Sequence, residues 1–302
     1  MSCEPAVELN WRIYQLKTVS IIVLLVLSLT LVFCKSSSNQ VKSAVSQPNS
    51  NSQNLNKTIQ GSPSNPDTRC LVSAYPDFLD SFDDHSIKWK DGSVMPFDDG
   101  KVESDFETML NHATLKDQMS ICYPKGDKFQ PPPSNNNDPG RPRFEPFFLK
   151  MYGNSQEVVR KSLVPVIWLP KHLHKQLMVT TINGVDQKIR AISDELDALP
   201  DDYVKYLANP GGTFNWRVIA GTQRQSTHSF GMTIDINVGQ SDYWRNFKPD
   251  SKSEYSYRNR IPSKIVEIFE KYGFIWGGKW YHFDTMHFEY RPELLRDECI
   301  CK

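Results

Sequence analysis

The chain has 302 residues, room for one large domain or two small ones. Its 35 Lys and Arg offset 35 Asp and Glu, so the formal net charge is zero and the basic excess expected of a nucleic-acid-binding protein is missing. Aromatic residues make up 12% of the chain and crowd its C-terminal half, at Trp216, Trp244, Phe274, Trp276, Trp280 and Tyr281, where they pack a core or line a ligand cleft.

In chain order, residues 1–34 come first and read as a targeting segment. Arg12 and Lys17 precede an apolar run from Val19 to Phe33, shorter than the ~20 residues that a bilayer-spanning helix needs. The run ends at Leu31-Val32-Phe33-Cys34, which suits a lipoprotein signal with Cys34 as the lipidated residue. Phe33 is bulky for the residue before such a cysteine, so an uncleaved membrane anchor stays open as the alternative. Both readings attach the protein to a membrane through its N-terminus and place the rest outside the cytoplasm. Residues 35–66 are Ser, Asn, Gln, Lys and Pro with almost no large apolar side chains, a composition that reads as a disordered linker.

Beyond Cys3 and Cys34, the cysteines are Cys70, Cys122, Cys299 and Cys301, an even set that fits disulfides in an oxidising compartment. Cys299 and Cys301 are too close in sequence to pair comfortably, so Cys70 or Cys122 is expected to reach that pair, or the two to reach each other. No Cys-x-x-Cys occurs, which argues against a cysteine zinc site.

Residues 67–180 form the next block, an N-terminal elaboration. Ile87 to Gly92 reads as a strand entering an Asp-Gly turn. Phe106, Met109 and Leu110 have helical spacing, residues 130–140 read as a loop rich in Pro, Asn and Gly, and Val164 to Leu169 reads as a strand. His172 and His174, beside lysines, read as solvated side chains.

Residues 181–302 read as the core of the functional domain. Val185, Ile189, Ile192, Leu196 and Leu199 make one apolar helix face that Pro200 ends. A second helix is predicted with Ser263 as N-cap, Ile265, Ile268, Phe269 and Tyr272 as its apolar face, and Gly273 at its stop. The fold class expected is α+β, a small antiparallel sheet flanked by helices.

One stretch carries chemistry. Met232, Ile234, Ile236 and Val238 alternate with Thr233, Asp235 and Asn237, a half-buried strand with Asp235 on its polar face. His228 lies just upstream in a turn that Gly231 helps to make. A turn running into a strand brings an imidazole and a carboxylate together, and zinc accepts both. A third ligand is then a His elsewhere. Of the candidates, His287 stands out, since it and Glu289 share one face of a short strand. Asp284 has the opposite parity, so it reaches the same cleft only from the turn before that strand.

The ordered set Ser226-x-His228-x-x-Gly231-x-Thr233-x-Asp235, followed by Asp284-x-x-His287, resembles the signature of the zinc D-alanyl-D-alanine carboxypeptidases of the VanY type and their relatives, the vancomycin-resistance dipeptidases and phage cell-wall endopeptidases. The resemblance covers roughly residues 214–294. Thr233 replaces the usual Ala, and Asp284 is like the endopeptidase branch where many relatives have Glu.

What the resemblance implies is a zinc peptidase acting on peptidoglycan stem peptides. His228, Asp235 and His287 then hold Zn2+, and Asp284 is the catalytic base. Arg217 stabilises the oxyanion, with Arg224 read as a surface residue. Ser226 holds substrate or fixes the ligand loop, and His282 and Glu289 orient the ligands. The expected activity is that of a carboxypeptidase. The alternatives are an endopeptidase of the same family, or a non-catalytic wall-binding protein, against which the intact Asp284 argues.

Overall fold

The computed structural model describes residues 66–251 and 254–296. The targeting segment, the linker and the pair Cys299 and Cys301 lie outside the described residues.

Helix α1 (Pro66–Ala74) leads into a hairpin meander of β1 (Leu79–Phe82), β2 (Ser86–Trp89) and β3 (Val94–Pro96). The Asp91-Gly92 turn joins β2 to β3, with Gly92 at φ 85°, a region open to glycine and costly for other residues. Helices α2 (Phe106–His112), α3 (Leu115–Ser120), α4 (Glu145–Tyr152) and α5 (Gln156–Arg160) follow. Strands β4 (Leu163–Trp168) and β5 (Lys175–Thr180) form a two-stranded antiparallel ribbon. Helices α6 (Val185–Asp197) and α7 (Val204–Leu207) precede β6 (Pro210–Gly212) and β7 (Thr233–Asn237), and α8 (Ser263–Lys271), β8 (Phe274–Trp276) and β9 (His287–Tyr290) complete the chain.

The fold is α+β with antiparallel sheets, and it divides its strands among three small sheets. The four-stranded one, ordered β6-β7-β9-β8, carries the candidate site. In its centre Thr233, Ile234 and Asp235 face Glu289, Phe288 and His287 across the β7–β9 ladder. Side chains alternate between the two faces of a sheet. Ile234, Ile236, Phe288 and Tyr290 therefore enter the core, while Asp235, His287 and Glu289 share the other face. Val238, expected to extend the apolar series, lies beyond the strand and is exposed.

Helix α8 closes the core side, with Phe269 stacked on Phe288 at 3.8 Å between ring centroids. Ser263 is its first helical residue and makes no side-chain cap; Pro262 holds the cap position instead. Helix α6 buries Val185, Ile189, Ile192 and Leu196 as its periodicity predicts.

The same core takes in Leu71 and Tyr75 near the N-terminal end, Phe147 and Phe148 of α4, and Trp168 of β4. Polar ties join the two blocks as well. The Tyr75 hydroxyl donates to Glu293 at 2.6 Å, and the Tyr123 hydroxyl donates to Glu270 at 2.6 Å. Cys70 and Cys122 are both in disulfides, so neither thiolate is available to a metal. His172, expected to be solvated, is exposed, and its ring also lies between two carboxylates, with Nδ1 2.6 Å from Asp197.

Candidate metal centre and its cleft

His228 lies in a single turn of 3-10 helix, Thr227–Phe230, that runs into β7. Gly231 ends the turn at φ 66°, and a Cβ there would lie 2.6 Å from Leu163 Cδ2, so the position requires glycine. The Ser226 hydroxyl caps the turn by accepting from the His228 backbone N–H. Ser226 is buried and lines the cleft. What the structure records for it is the fixing of the ligand loop.

Three side chains converge here. One ligand atom each from His228, Asp235 and His287 lie within 4.8 Å of one another. His228 Nε2 is 3.2 Å from Asp235 Oδ2, and His287 Nδ1 is 3.1 Å from Asp235 Oδ1. The outer nitrogen of each ring is already engaged. His228 Nδ1 donates to the Thr213 carbonyl at 3.2 Å, and His287 Nε2 donates to Glu289 Oε2 at 3.1 Å. Those outer bonds set the tautomers so that each ring aims a lone pair at a carboxylate oxygen. Such contacts repel unless a proton or a cation lies among them.

The titration behaviour agrees. Burial works against the charged form of His287, yet its bonds to Asp235 and Glu289 raise it to about 10. Burial likewise opposes ionisation of Asp235, yet the two imidazoles hold it well below the usual carboxylate range. The group prefers a positive charge at its centre, which a divalent cation supplies. Two imidazoles and one carboxylate, with a side left open to a cleft, make the donor set of a catalytic zinc site.

Asp284 sits in the turn before β9. Its carbonyl accepts from the His287 N–H, and its own N–H donates to the Gly277 carbonyl at 3.0 Å. A Cβ at Gly277 would lie 2.6 Å from the Asp284 carbonyl oxygen, so only glycine lets the chain pass this close. Asp284 is half-buried, and its buried Oδ1 has no hydrogen-bond partner among the described residues. Burial pushes the group up to about 6, the charge of His287 opposing the shift and that of Asp235 adding to it. A desolvated, partly free carboxylate beside the ligand group is suited to accepting a proton.

Residues 220–290, which hold all four of these side chains, match the family model described as D-alanyl-D-alanine carboxypeptidase. Over this segment the chain is similar to that peptidase family. No curated protein and no solved structure matches the chain.

The matched segment opens onto a cleft of about 550 Å³, and its walls extend beyond the matched residues. Arg217, expected as the oxyanion cation, lines this cleft but is exposed, with Nη1 3.4 Å from the Val218 carbonyl. Arg224, expected on the surface, is the more buried of the two, with its side chain 14% exposed and its Nε without a hydrogen-bond partner among the described residues. The reason is a short hairpin, closed by the Val218–Gln225 bridge, that folds Arg224 back over the cleft.

The loop at residues 138–143 supplies a wall that sequence reasoning did not assign to the site. Asp138 is fully buried and accepts from the His282 backbone N–H at 2.9 Å and from His282 Nδ1 at 2.6 Å. Arg141 also pairs with Asp138. His282 therefore faces the cleft under the control of Asp138 and does not orient a ligand. Glu289 does orient one. It holds His287, and in turn accepts from Thr227 at 3.1 Å, Arg143 at 3.2 Å and Arg291 at 2.9 Å. Against the cost of burial, Arg143, His287 and Arg291 keep the Glu289 carboxyl well below its ordinary range. The one sequence signal for this wall was the turn-like Asp138-Pro-Gly-Arg141 string.

Proposed function

We propose that the protein is a zinc-dependent D-alanyl-D-alanine carboxypeptidase acting on peptidoglycan stem peptides. The observation that carries this is the convergence of His228, Asp235 and His287, beside a buried Asp284 oxygen that lacks a partner. His228, Asp235 and His287 would hold the ion. Bound there, zinc supplies Lewis acidity toward the scissile carbonyl and the attacking water. Asp284 takes the proton from that water at its free oxygen and passes it to the leaving amine. Thr213 and Glu289 keep both imidazole lone pairs turned inward during these steps. Trp280 and Met286, in the cleft wall, limit water around the reacting carbonyl. An arginine of the cleft balances the negative charge that develops on the carbonyl oxygen. Arg217, which lines the cleft, remains the candidate for this.

The placement proposed is outside the cytoplasm, tethered to a membrane by residues 1–34. The disulfides at Cys70 and Cys122 support an oxidising location. Among the described residues, no helix is long and apolar enough to cross a membrane.

The endopeptidase reading draws on one observation. A second groove of about 960 Å³ shares Arg143 and Arg224 with the cleft, room for a longer or branched substrate.

The test joins metal analysis of the purified protein to an assay on a D-Ala-D-Ala peptide, before and after chelation. Stoichiometric zinc and chelator-sensitive release of free D-alanine are the expected results. His228→Ala should lose both. Absence of a bound metal ion sinks the proposal, and shortened stems without free D-alanine move the assignment to the endopeptidase.

A further inference from the structure

Five arginines line the cleft, at positions 141, 143, 217, 224 and 245. They come from three separate chain segments: the 138–143 loop, the 217–225 hairpin and the turn that holds Arg245. Two are neutralised within the fold, Arg141 by Asp138 and Arg143 by Glu289. The other three have no carboxylate within hydrogen-bond reach among the described residues. Among the described residues, the Arg217 and Arg245 guanidiniums contact only the carbonyls of Val218 and Ala220 and, for Arg245, the face of Trp244. Arg224 approaches the exposed Glu107 only to 3.8 Å, and its buried Nε has no acceptor.

Gathering like charges around one cleft is unfavourable unless an anion is to be bound. The strain registers on Arg224, which is lowered to about 10 by burial first and then by repulsion from Arg143 and Arg141. A fork-to-fork pair uses up both oxygens of a terminal carboxylate on a single guanidinium. With Arg217 set against the oxyanion, Arg224 and Arg245 remain, one more than a single carboxylate occupies in that way.

We propose that the cleft selects acidic peptides, in which a side-chain carboxylate close to the scissile bond binds at Arg224 and Arg245 in addition to the terminal carboxylate. This rests on the peptidase reading for its scissile bond, but the charge preference itself is a property of binding. Arg224 and Arg245 are thus specificity-determining residues.

The probes are acetyl-glutamyl-D-alanyl-D-alanine and its glutaminyl counterpart, each with the scissile amide N-methylated to prevent cleavage. They are titrated calorimetrically into the protein supplied with zinc. The acidic probe should bind about tenfold tighter at low salt, and the gap should narrow as salt is raised. Arg224→Gln and Arg245→Gln should each shrink the gap. Arg245 is exposed, so its replacement leaves the fold intact, and a circular dichroism spectrum checks the Arg224 variant. Equal affinity for the two probes overturns the proposal, as does a gap that neither variant changes. The cleavable versions separate the two readings. A tenfold binding gap with no cleavage keeps the acidic-ligand assignment and removes the peptidase; cleavage of both with equal binding does the reverse.

Discussion

Residues 220–290 and residues 66–180 share one hydrophobic core, yet they reach the cleft in different ways. The first segment contributes donors whose position is set by backbone register: Asp235 and His287 are cross-strand partners, and His228 is held one turn before the same strand. The second contributes no ligand to the candidate centre. It supplies Asp138 and Arg143, which set the orientation or charge of residues in the first segment. Chemistry that tolerates little displacement is carried on a ladder of backbone hydrogen bonds, whereas its electrical setting is assembled from a loop far away in sequence.

The sharpest way to break this comparison is at Asp284, where the ligand-bearing segment should matter for chemistry alone. Asp284→Asn should leave metal content unchanged and lower turnover by about 10²–10⁴-fold, the range for loss of a positioned acid-base group. Wild-type activity requires the carboxylate form, so it should fall as pH drops through the Asp284 pKa. That value is about 6 from burial, and a cation beside the group moves it lower. Residual activity of the variant should lack this acid limb. A metal-free Asp284→Asn protein, or one with full activity, would remove the residue from the mechanism.

Much of this was legible in the sequence because period-two alternation fixes which side chains share a sheet face. It put Asp235 on the polar face of its strand, set Glu289 on the face of His287, and left Asp284 to a turn, and each is where the structure has it; that Asp235 and His287 meet across the sheet came only from the family resemblance. The α6 and α8 faces were legible for the same kind of reason. The other wall was not, because nothing in the string Asp138-Pro-Gly-Arg141 states which distant residue it will meet. Asp138 acquires its meaning only when the chain closes over 144 positions onto His282. Burial was equally silent in the case of Arg224, a charged residue in a polar stretch that the hairpin folds inward. The division into three sheets was also beyond reach, since pairing partners depend on tertiary context and not on local pattern.

A smaller effect is expected one step out from the ligands. Glu289 fixes the ring of His287 and is itself held by Arg143 from the other block. Glu289→Gln keeps the shape and removes the charge that orients Nε2–H, so metal affinity should fall about 10- to 100-fold, measured by competition with a chelator of known affinity. An affinity equal to wild type would mean that strand register alone positions His287, and the comparison between ladder and loop would sharpen in favour of the ladder.

The smallest effect on the centre should come from the far end of the same chain of buried groups. Arg291 donates to both Glu289 and Glu293, and the Tyr75 hydroxyl donates to Glu293, so a continuous path of hydrogen bonds runs from His287 to residue 75. Tyr75→Phe removes the last donor and leaves a fully buried carboxylate oxygen one bond short. That loss costs about 1–3 kcal/mol of stability, read as a lower midpoint in denaturant unfolding. Metal affinity and turnover should be unchanged, because Arg291 keeps both of its acidic partners and its ring contact with Phe148 when the tyrosine hydroxyl is gone. If metal affinity fell along with stability, the path would transmit orientation all the way to the candidate centre, and residues 66–180 would have to be counted as part of the site and not only as its support.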